Sequence, residues 1–321
     1  MLYLTDSEVA ELLTPEVAAK AIESAFHSLA GGAAAVQPRV RTVTTAGKLS
    51  MIGGVMTADG IAGAKVYPTT KEGRFGFVVL LFALSTGELL AVMRGSALTE
   101  IRTAATSVVA ARHLAPPHPK VLTMFGSGRQ AGAHARAFAS EFDLQEIRLV
   151  NRHDASEFAA LIEKVTAVEV RQAASAAEGL EGADLVVTAT RAQAPLFNGQ
   201  HLPTGCHVTA VGATTSDSRE LDTASISRAE PIVVESIDQA KVEAGDLLLA
   251  ELEGEAVWAR VIELADLVAG RGSGRINPDQ ITLYKSLGIG LEDVAAAGAA
   301  YHQAILRSIG RIIESEEPWV G

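Results

Sequence analysis

The chain has a single cysteine, Cys206, which excludes an internal disulfide and any cysteine-cluster metal site and fits a reducing compartment. Basic residues never gather into a block, and the formal net charge of −11 would repel phosphate backbones and anionic membrane surfaces. Neither nucleic acid nor a membrane is expected as a partner. Uninterrupted apolar runs stop short of the about 18 residues that a membrane-spanning helix needs. The opening MLYLTDSEVAELL has no basic leader, so a cytoplasmic protein is expected. The eight histidines are scattered without the i, i+4 pairing of a helical zinc site, and no metal is expected. Also missing are a GxxxxGKS/T phosphate loop and a GxSxG nucleophile elbow, which removes nucleoside triphosphatase and α/β-hydrolase chemistry.

Aromatic residues are scarce, at 5% against 48% hydrophobic overall, so the apolar content is chiefly aliphatic. Aliphatic runs of this kind read as parallel strands buried under helices, and 321 residues can form two domains. Thr5 and Glu8 have capping-box spacing, and Thr14-Pro15-Glu16 puts proline at a first helical position, so two helices are expected to open the chain. In the second, Val17, Ala21, Ala25 and Leu29 form an apolar stripe closed by Gly31-Gly32. Short β-rich runs follow at 40–44, 63–67, 77–84 and 89–93, with Ser85-Thr86-Gly87-Glu88 as a hairpin turn. Ser96 then caps an Ala-rich helix to Leu114, and Pro116-Pro117-His118-Pro119 ends it and marks a domain boundary.

Beyond that boundary, residues 121–125 read as a strand, Gly126-Ser127-Gly128-Arg129-Gln130-Ala131 as a turn into a helix, and 147–150 as a second strand. Ala131, Ala135, Phe138 and Phe142 share one face of that helix. A GxGxxA turn alone is a common loop. Placed between an aliphatic strand and an amphipathic helix, it becomes a dinucleotide site: backbone N–H groups and the helix N-terminus face a pyrophosphate. Further strands are expected at 183–190, 207–211 and 232–235, alternating with helices in a doubly wound parallel sheet of Rossmann type. The strand at 147–150 runs into Asn151-Arg152 rather than Asp or Glu. A carboxylate there would accept from the ribose 2′-OH of NAD, whereas Asn and Arg can donate to a 2′-phosphate, so NADP is expected over NAD. A closing helix from about Leu291 carries Val294, Ala297, Tyr301, Ile305, Ile309 and Ile312 as a stripe that needs a partner surface.

The segment STGELLAVMRGSALTEIRTAATSVVAA at 85–111 resembles the ornithine cyclodeaminase and mu-crystallin family. The likeness continues through QPRVRTV at 37–43, GAKVYP at 63–68, FGSGRQAGAHARAF at 125–138, VGATTSDSRELD at 211–222 and ITLYKSLGIGLED at 281–293. It implies an α+β substrate and dimerisation domain, residues 1–115 completed by 291–321, beside an NAD(P)-binding domain at 116–290, in a homodimer. It also implies that Arg41 and Arg102 hold a substrate carboxylate and that Lys65 stands beside the reacting carbon–nitrogen group. Lys65 interrupts an apolar strand, where a partly dry setting lowers an ammonium pKa. Cofactor contacts are expected at Gly126, Ser127, Gly128, Gln130, Ala131, Asn151, Arg152, Thr190, Val211, Gly212 and Ser286.

Two departures from the family pattern bear on chemistry. The aspartate that exchanges protons with the substrate amine in the cyclodeaminases is replaced by Thr214, with Asp217 three residues later. At Met51-Ile52, relatives commonly have Met-Pro. The expected activity is therefore ketimine reduction, hydride reaching the C=N carbon of a small cyclic 2-imino acid such as pyrroline-2-carboxylate. Ornithine cyclodeamination with recycled NAD, Asp217 or water replacing the aspartate, and a non-catalytic NADP-dependent binding protein are the alternatives.

Overall fold

Thr5 Oγ1 accepts from Glu8 N at 3.3 Å while the Glu8 carboxylate accepts from Thr5 N at 2.8 Å, closing the capping box over α1 (Asp6–Leu12). Thr14 caps α2 (Pro15–Ala30), and Gly31 with Gly32 ends it. The buried face of α2 differs from the expected stripe. Ala18, Ala19, Ile22, Ala25 and Phe26 are inside, whereas Val17, Ala21 and Leu29 are partly covered. Burying Ile22 and Phe26 together removes more apolar area than burying Ala21 and Leu29, and the helix is rotated accordingly.

The structure, a computed structural model, describes residues 1–314 and divides into two units: Met1–Thr106 joined by the chain from Gly288 onward, and Ser107–Leu287. The first unit contains β1 (Leu2–Leu4), β2 (Ala34–Thr44), β3 (Gly47–Met56), β4 (Ile61–Thr70), β5 (Val78–Ala83), β6 (Leu89–Arg94) and a short strand Arg311–Ile312. They form one sheet in the order 311–312, β1, β6, β5, β4, β3, β2, with β1 parallel to β6 and the other neighbours antiparallel. The sequence pattern shows neither β1, which is too short, nor β3, where Gly53-Gly54 interrupts the alternation of side chains. β2 begins at Ala34 rather than at residue 40 and runs through Pro38. Its place at the sheet edge tolerates the missing N–H, and its register shifts between Gln37 and Val40.

α3 (Ser96–Leu114) has Ser96 as its first residue instead of its cap; Asp6 Oδ1 accepts from Ala97 N at 2.9 Å and serves that terminus from another element. The C-terminal helix, Gly290–Arg307, lies on β2 to β5 and on α2, burying Leu291, Val294, Ala297, Ala300 and Ala304. It is shorter than the expected stripe. Ser308 adopts a left-handed conformation at φ 54°, Ile305 is exposed, and Ile312 belongs to the short strand. Residues 315–321, the end of the expected 291–321 segment, lie outside the described residues.

The second unit holds β7 (Val121–Phe125), β8 (Glu146–Val150), β9 (Glu169–Gln172), β10 (Leu185–Thr188), β11 (His207–Ala210), β12 (Ala229–Val234), β13 (Val261–Glu263) and β14 (Ile281–Lys285). Their order is β13-β12-β14-β11-β10-β7-β8-β9, and every neighbouring pair is parallel. α4 (Arg129–Glu141) crosses from β7 to β8, and α5 (Ser156–Thr166) leads to β9. This is the doubly wound α/β arrangement of Rossmann type. From β7 the chain winds outward through β8 and β9, then returns to β10 on the other side, so the winding reverses between β7 and β10. The carboxyl ends of the strands at such a reversal are where open α/β sheets bind ligands. No helix among the described residues is long and apolar enough to cross a membrane.

Candidate active site

In the second unit, β7 runs into Gly126, whose φ of +106° and ideal Cβ position 2.7 Å from Ala189 O admit no side chain. Gly128 stands at the N-cap of α4 with no side-chain hydrogen bond to the helix start, and a Cβ there would meet open space. The start of α4 thus has no capping side chain from Gly128, which suits a helix N-terminus that faces a pyrophosphate. Gln130 Oε1 and Asn151 Nδ2 are buried without hydrogen-bond partners, polar atoms that a bound dinucleotide would satisfy. β8 lies beside β7, and Gly126 N donates to Val150 O at 3.2 Å, so Asn151 and the exposed Arg152 follow on from the turn. Ser127 is exposed, whereas Ala131 is buried and seats α4. The residues fit a nicotinamide dinucleotide.

Thr190, Val211, Gly212 and Ser286 follow the carboxyl ends of β10, β11 and β14, at the same edge of the sheet. Two carboxylates that sequence reasoning did not count as functional hold these loops. Glu220 accepts from Thr188 Oγ1 at 2.8 Å and from Thr190 N, Thr190 Oγ1 and Gly212 N at 2.7 Å each. Glu235 accepts from Tyr284 at 2.7 Å, Ser286 Oγ at 3.1 Å and Leu287 N at 3.0 Å. Thr214 and Asp217 sit in the exposed stretch between β11 and Glu220, and hydrogen bonding from Thr215 holds the Asp217 carboxyl below its ordinary range.

The first unit gathers the basic residues. Cross-strand pairing sets Arg41 opposite Ser50 and Ser50 opposite Tyr67, while Lys65 lies between Ile52 and Val79 in the next row of the same face. The register shift at Pro38 decides this. Before it, Val36 pairs with Gly54 on that face; after it, Arg41 does so with Ser50, and Arg39, two residues from Arg41, shares its side. Arg39 donates to the Tyr67 hydroxyl at 2.7 Å and to Gly288 O at 2.8 Å. Of the Met51-Ile52 pair, Ile52 is buried in the row of Lys65 and Met51 projects to the other face.

Glycines bring the C-terminal helix onto this face. A Cβ on Gly290 would come within 2.3 Å of Gly53 N, and one on Gly54 within 3.0 Å of Leu291 Cα. That contact delivers Glu292 and Asp293, in the first turn of the helix where its N-terminal field favours anions. Lys65 Nζ donates to Asp293 Oδ1 at 2.8 Å; Arg102 donates to the same oxygen through Nε at 3.1 Å and to Glu292 through Nη1. Lys65 is 2% exposed, Arg102 5%, Glu292 1% and Asp293 0%. The aromatic rings of Phe77 and Tyr67 stand 5.2 and 5.9 Å from the ammonium. Burial, with the Arg102 guanidinium beside it, pushes Lys65 from its ordinary value down to about 7, against the pull of Asp293. A lysine there exchanges protons near neutral pH.

Arg39, Glu292 and Asp293 are the residues that sequence reasoning missed in this unit. The QPRVRTV motif held a signal for Arg39, which is spaced from Arg41 by one strand period; nothing local to Glu292-Asp293 placed them beside Lys65. No cluster of metal-binding side chains is found among the described residues.

The model of the ornithine cyclodeaminase/mu-crystallin family matches residues 1–307. The ketimine reductase mu-crystallin of Mus musculus is 38% identical over 225 residues, covering 70% of this chain and 68% of that protein. A probable ornithine cyclodeaminase from Bordetella pertussis Tohama I superposes with a TM-score of 0.92 at 42% identity, covering 96% of this chain and 98% of that one. The Delta(1)-pyrroline-2-carboxylate reductase of Thermococcus litoralis, in complex with NADH and L-proline, superposes with a TM-score of 0.93 at 29% identity, covering 98% of this chain and 100% of that one.

Proposed function

The chain belongs to the ornithine cyclodeaminase/mu-crystallin family, and from that premise we propose that it is an NAD(P)H-dependent ketimine reductase acting on small cyclic 2-imino acids such as pyrroline-2-carboxylate. Lys65 carries this reading: a buried ammonium near neutral pKa, on the same sheet face as Arg39 and Arg41, is what protonation of an imino acid requires. Reduction of such a five-membered ring gives proline, the ligand held with NADH by the Thermococcus protein. When bound at the Gly126–Gly128 turn, the reduced nicotinamide supplies the hydride. Arg41 with Arg39, extended by Arg102, orients the substrate carboxylate, and Lys65 protonates the imino nitrogen directly or through water.

Thr214 supports reduction over cyclodeamination, because removing a proton from an amine needs a stronger base than a hydroxyl. Asp217 is exposed and held below the ordinary carboxylate range, which makes it a weak substitute. Asn151 and Arg152 support NADP in preference to NAD. The exposed row Val40, Met51 and Val78, aligned across β2, β3 and β5 on the other face of the sheet, supports burial against a second copy in a homodimer. The single cysteine supports a cytoplasmic setting.

The test sets oxidation of NADPH by pyrroline-2-carboxylate against ammonia release from ornithine plus NAD. Imine reduction with slow or absent ammonia release is expected. Vigorous ammonia release without imine reduction restores the cyclodeaminase, and no turnover of any imino acid restores the binding protein.

A further inference from the structure

The two ends of the Lys65–Asp293 pair are differently engaged. One N–H of the ammonium donates to Asp293 Oδ1 at 2.8 Å and another reaches Thr99 Oγ1 at 3.4 Å; a third acceptor is absent among the described residues. Asp293 Oδ1 also accepts from Arg102, but Oδ2 is buried with no partner. The pair thus combines an N–H with no acceptor and an oxygen with no donor, both in a dry setting where such groups are costly. An imino nitrogen supplies both needs in turn: first a lone pair to take a proton, then an N–H to give to an acceptor.

The other groups facing Lys65 sharpen the role of the carboxylate. Arg102 and Thr99 approach from α3, Arg39 from β2, Tyr67 from its own strand, the Phe77 ring from the segment before β5, and Asp293 from the C-terminal helix, with Glu292 engaged on Arg102. Among these, Asp293 is the anion in contact with the ammonium. Without it, Lys65 would face two guanidinium groups.

We propose that Asp293 is the positioning residue of the proton donor: it keeps Lys65 charged and aimed inside the site, so that imine reduction proceeds with threonine at position 214. This rests on the ketimine reductase reading. In the step, the lone pair of the imino nitrogen bonds to a proton released by Lys65, whose N–H pair stays on Nζ, and the π pair of C=N then becomes the lone pair on nitrogen. The ring carbon receives the hydride supplied by NAD(P)H, which is oxidised to NAD(P)+. Asp293 Oδ2 accepts the N–H of the new amine, and Lys65 regains a proton from water.

The experiment compares wild type, Asp293→Asn and Asp293→Glu in two readouts: the pH profile of kcat/KM for imine reduction, and a 13C NMR titration of the Lys65 side chain in the cofactor-free protein, assigned with Lys65→Met. A donor must be protonated, so activity is lost as pH rises through its pKa. In Asp293→Asn that limb and the NMR midpoint should both move to lower pH by about 1 to 3 units, and Asp293→Glu should restore part of the shift. Titration of the substrate imine is common to all variants and cancels from the difference. A merely structural role would lower activity equally at every pH and leave the NMR midpoint in place, which overturns the proposal. If Asp293→Asn unfolds, Asp293→Ser removes the same charge and carries the comparison, and an unshifted Lys65 midpoint there overturns the proposal as well. A wild type that reduces no cyclic imine instead overturns the functional reading, and the NMR arm still decides whether Asp293 keeps Lys65 charged.

Discussion

Replacing Arg102 by Met tests how the cluster is balanced. The guanidinium, 5% exposed, lies between Glu292 and Asp293, which are 1% and 0% exposed, so its removal takes the cation from two carboxylates that water cannot reach. Breaking a buried ion pair from one side costs about 3–5 kcal/mol, because a desolvated charge loses its compensation. Lys65 still offsets Asp293 at 2.8 Å, so the loss falls mainly on Glu292, and about 3 kcal/mol is expected. At roughly 2–4 °C per kcal/mol for a protein of this size class, the first unit should melt about 6–12 °C lower. Calorimetry resolves this if the two units unfold separately; otherwise proteolytic susceptibility of each unit reports it. Adding Glu292→Gln to Arg102→Met removes the buried charge that the guanidinium had offset and should recover most of the stability, although the KM for the imino acid stays raised. A single variant within about 0.5 kcal/mol of wild type, or a double variant no more stable than the single, would refute the reasoning.

Arg152→Ala should weaken NADP binding by about 1–3 kcal/mol and leave NAD affinity nearly unchanged, which parallel titrations of the two cofactors check; equal losses would remove the 2′-phosphate contact. Lys65→Met should lower kcat far more than it raises KM, since a proton donor acts mainly in the transition state, and steady-state kinetics on a cyclic imine separate the two. Burial lowers His134 to about 4 and His207 to about 3, so both stay neutral in the fold while the unfolded chain takes up protons below about 6.5. The stability this contributes is full above that pH and is lost as pH falls through 6.5 towards the folded values. Urea midpoints between about pH 7 and 4 should therefore decline less steeply in His207→Asn than in wild type.

Much of the cofactor half was legible because its signals are local. A strand, a glycine turn and an amphipathic helix are contiguous in residues 121–141, and the backbone conformation that Gly126 requires is written in one residue. Arg41, Lys65 and Arg102 were named through motifs, and the caps of α1 and α2 follow from spacing alone. The sheet of the first unit was harder to read. Glycines hide β3 by removing the side chains that would reveal its alternation, and the register shift near Pro38 turns Arg39 and Arg41 to the face of Lys65 against the parity of the residues before it. The charge partners of Lys65 and Arg102 depended wholly on the tertiary structure. Asp293 stands 228 residues from Lys65 and meets it because Gly290 on the helix and Gly53 and Gly54 on the sheet permit backbones to touch. Local pattern records which backbone conformation a segment prefers; which distant carboxylate enters a dry site is decided by register and close approach, and the energy of burying charge then makes that choice specific.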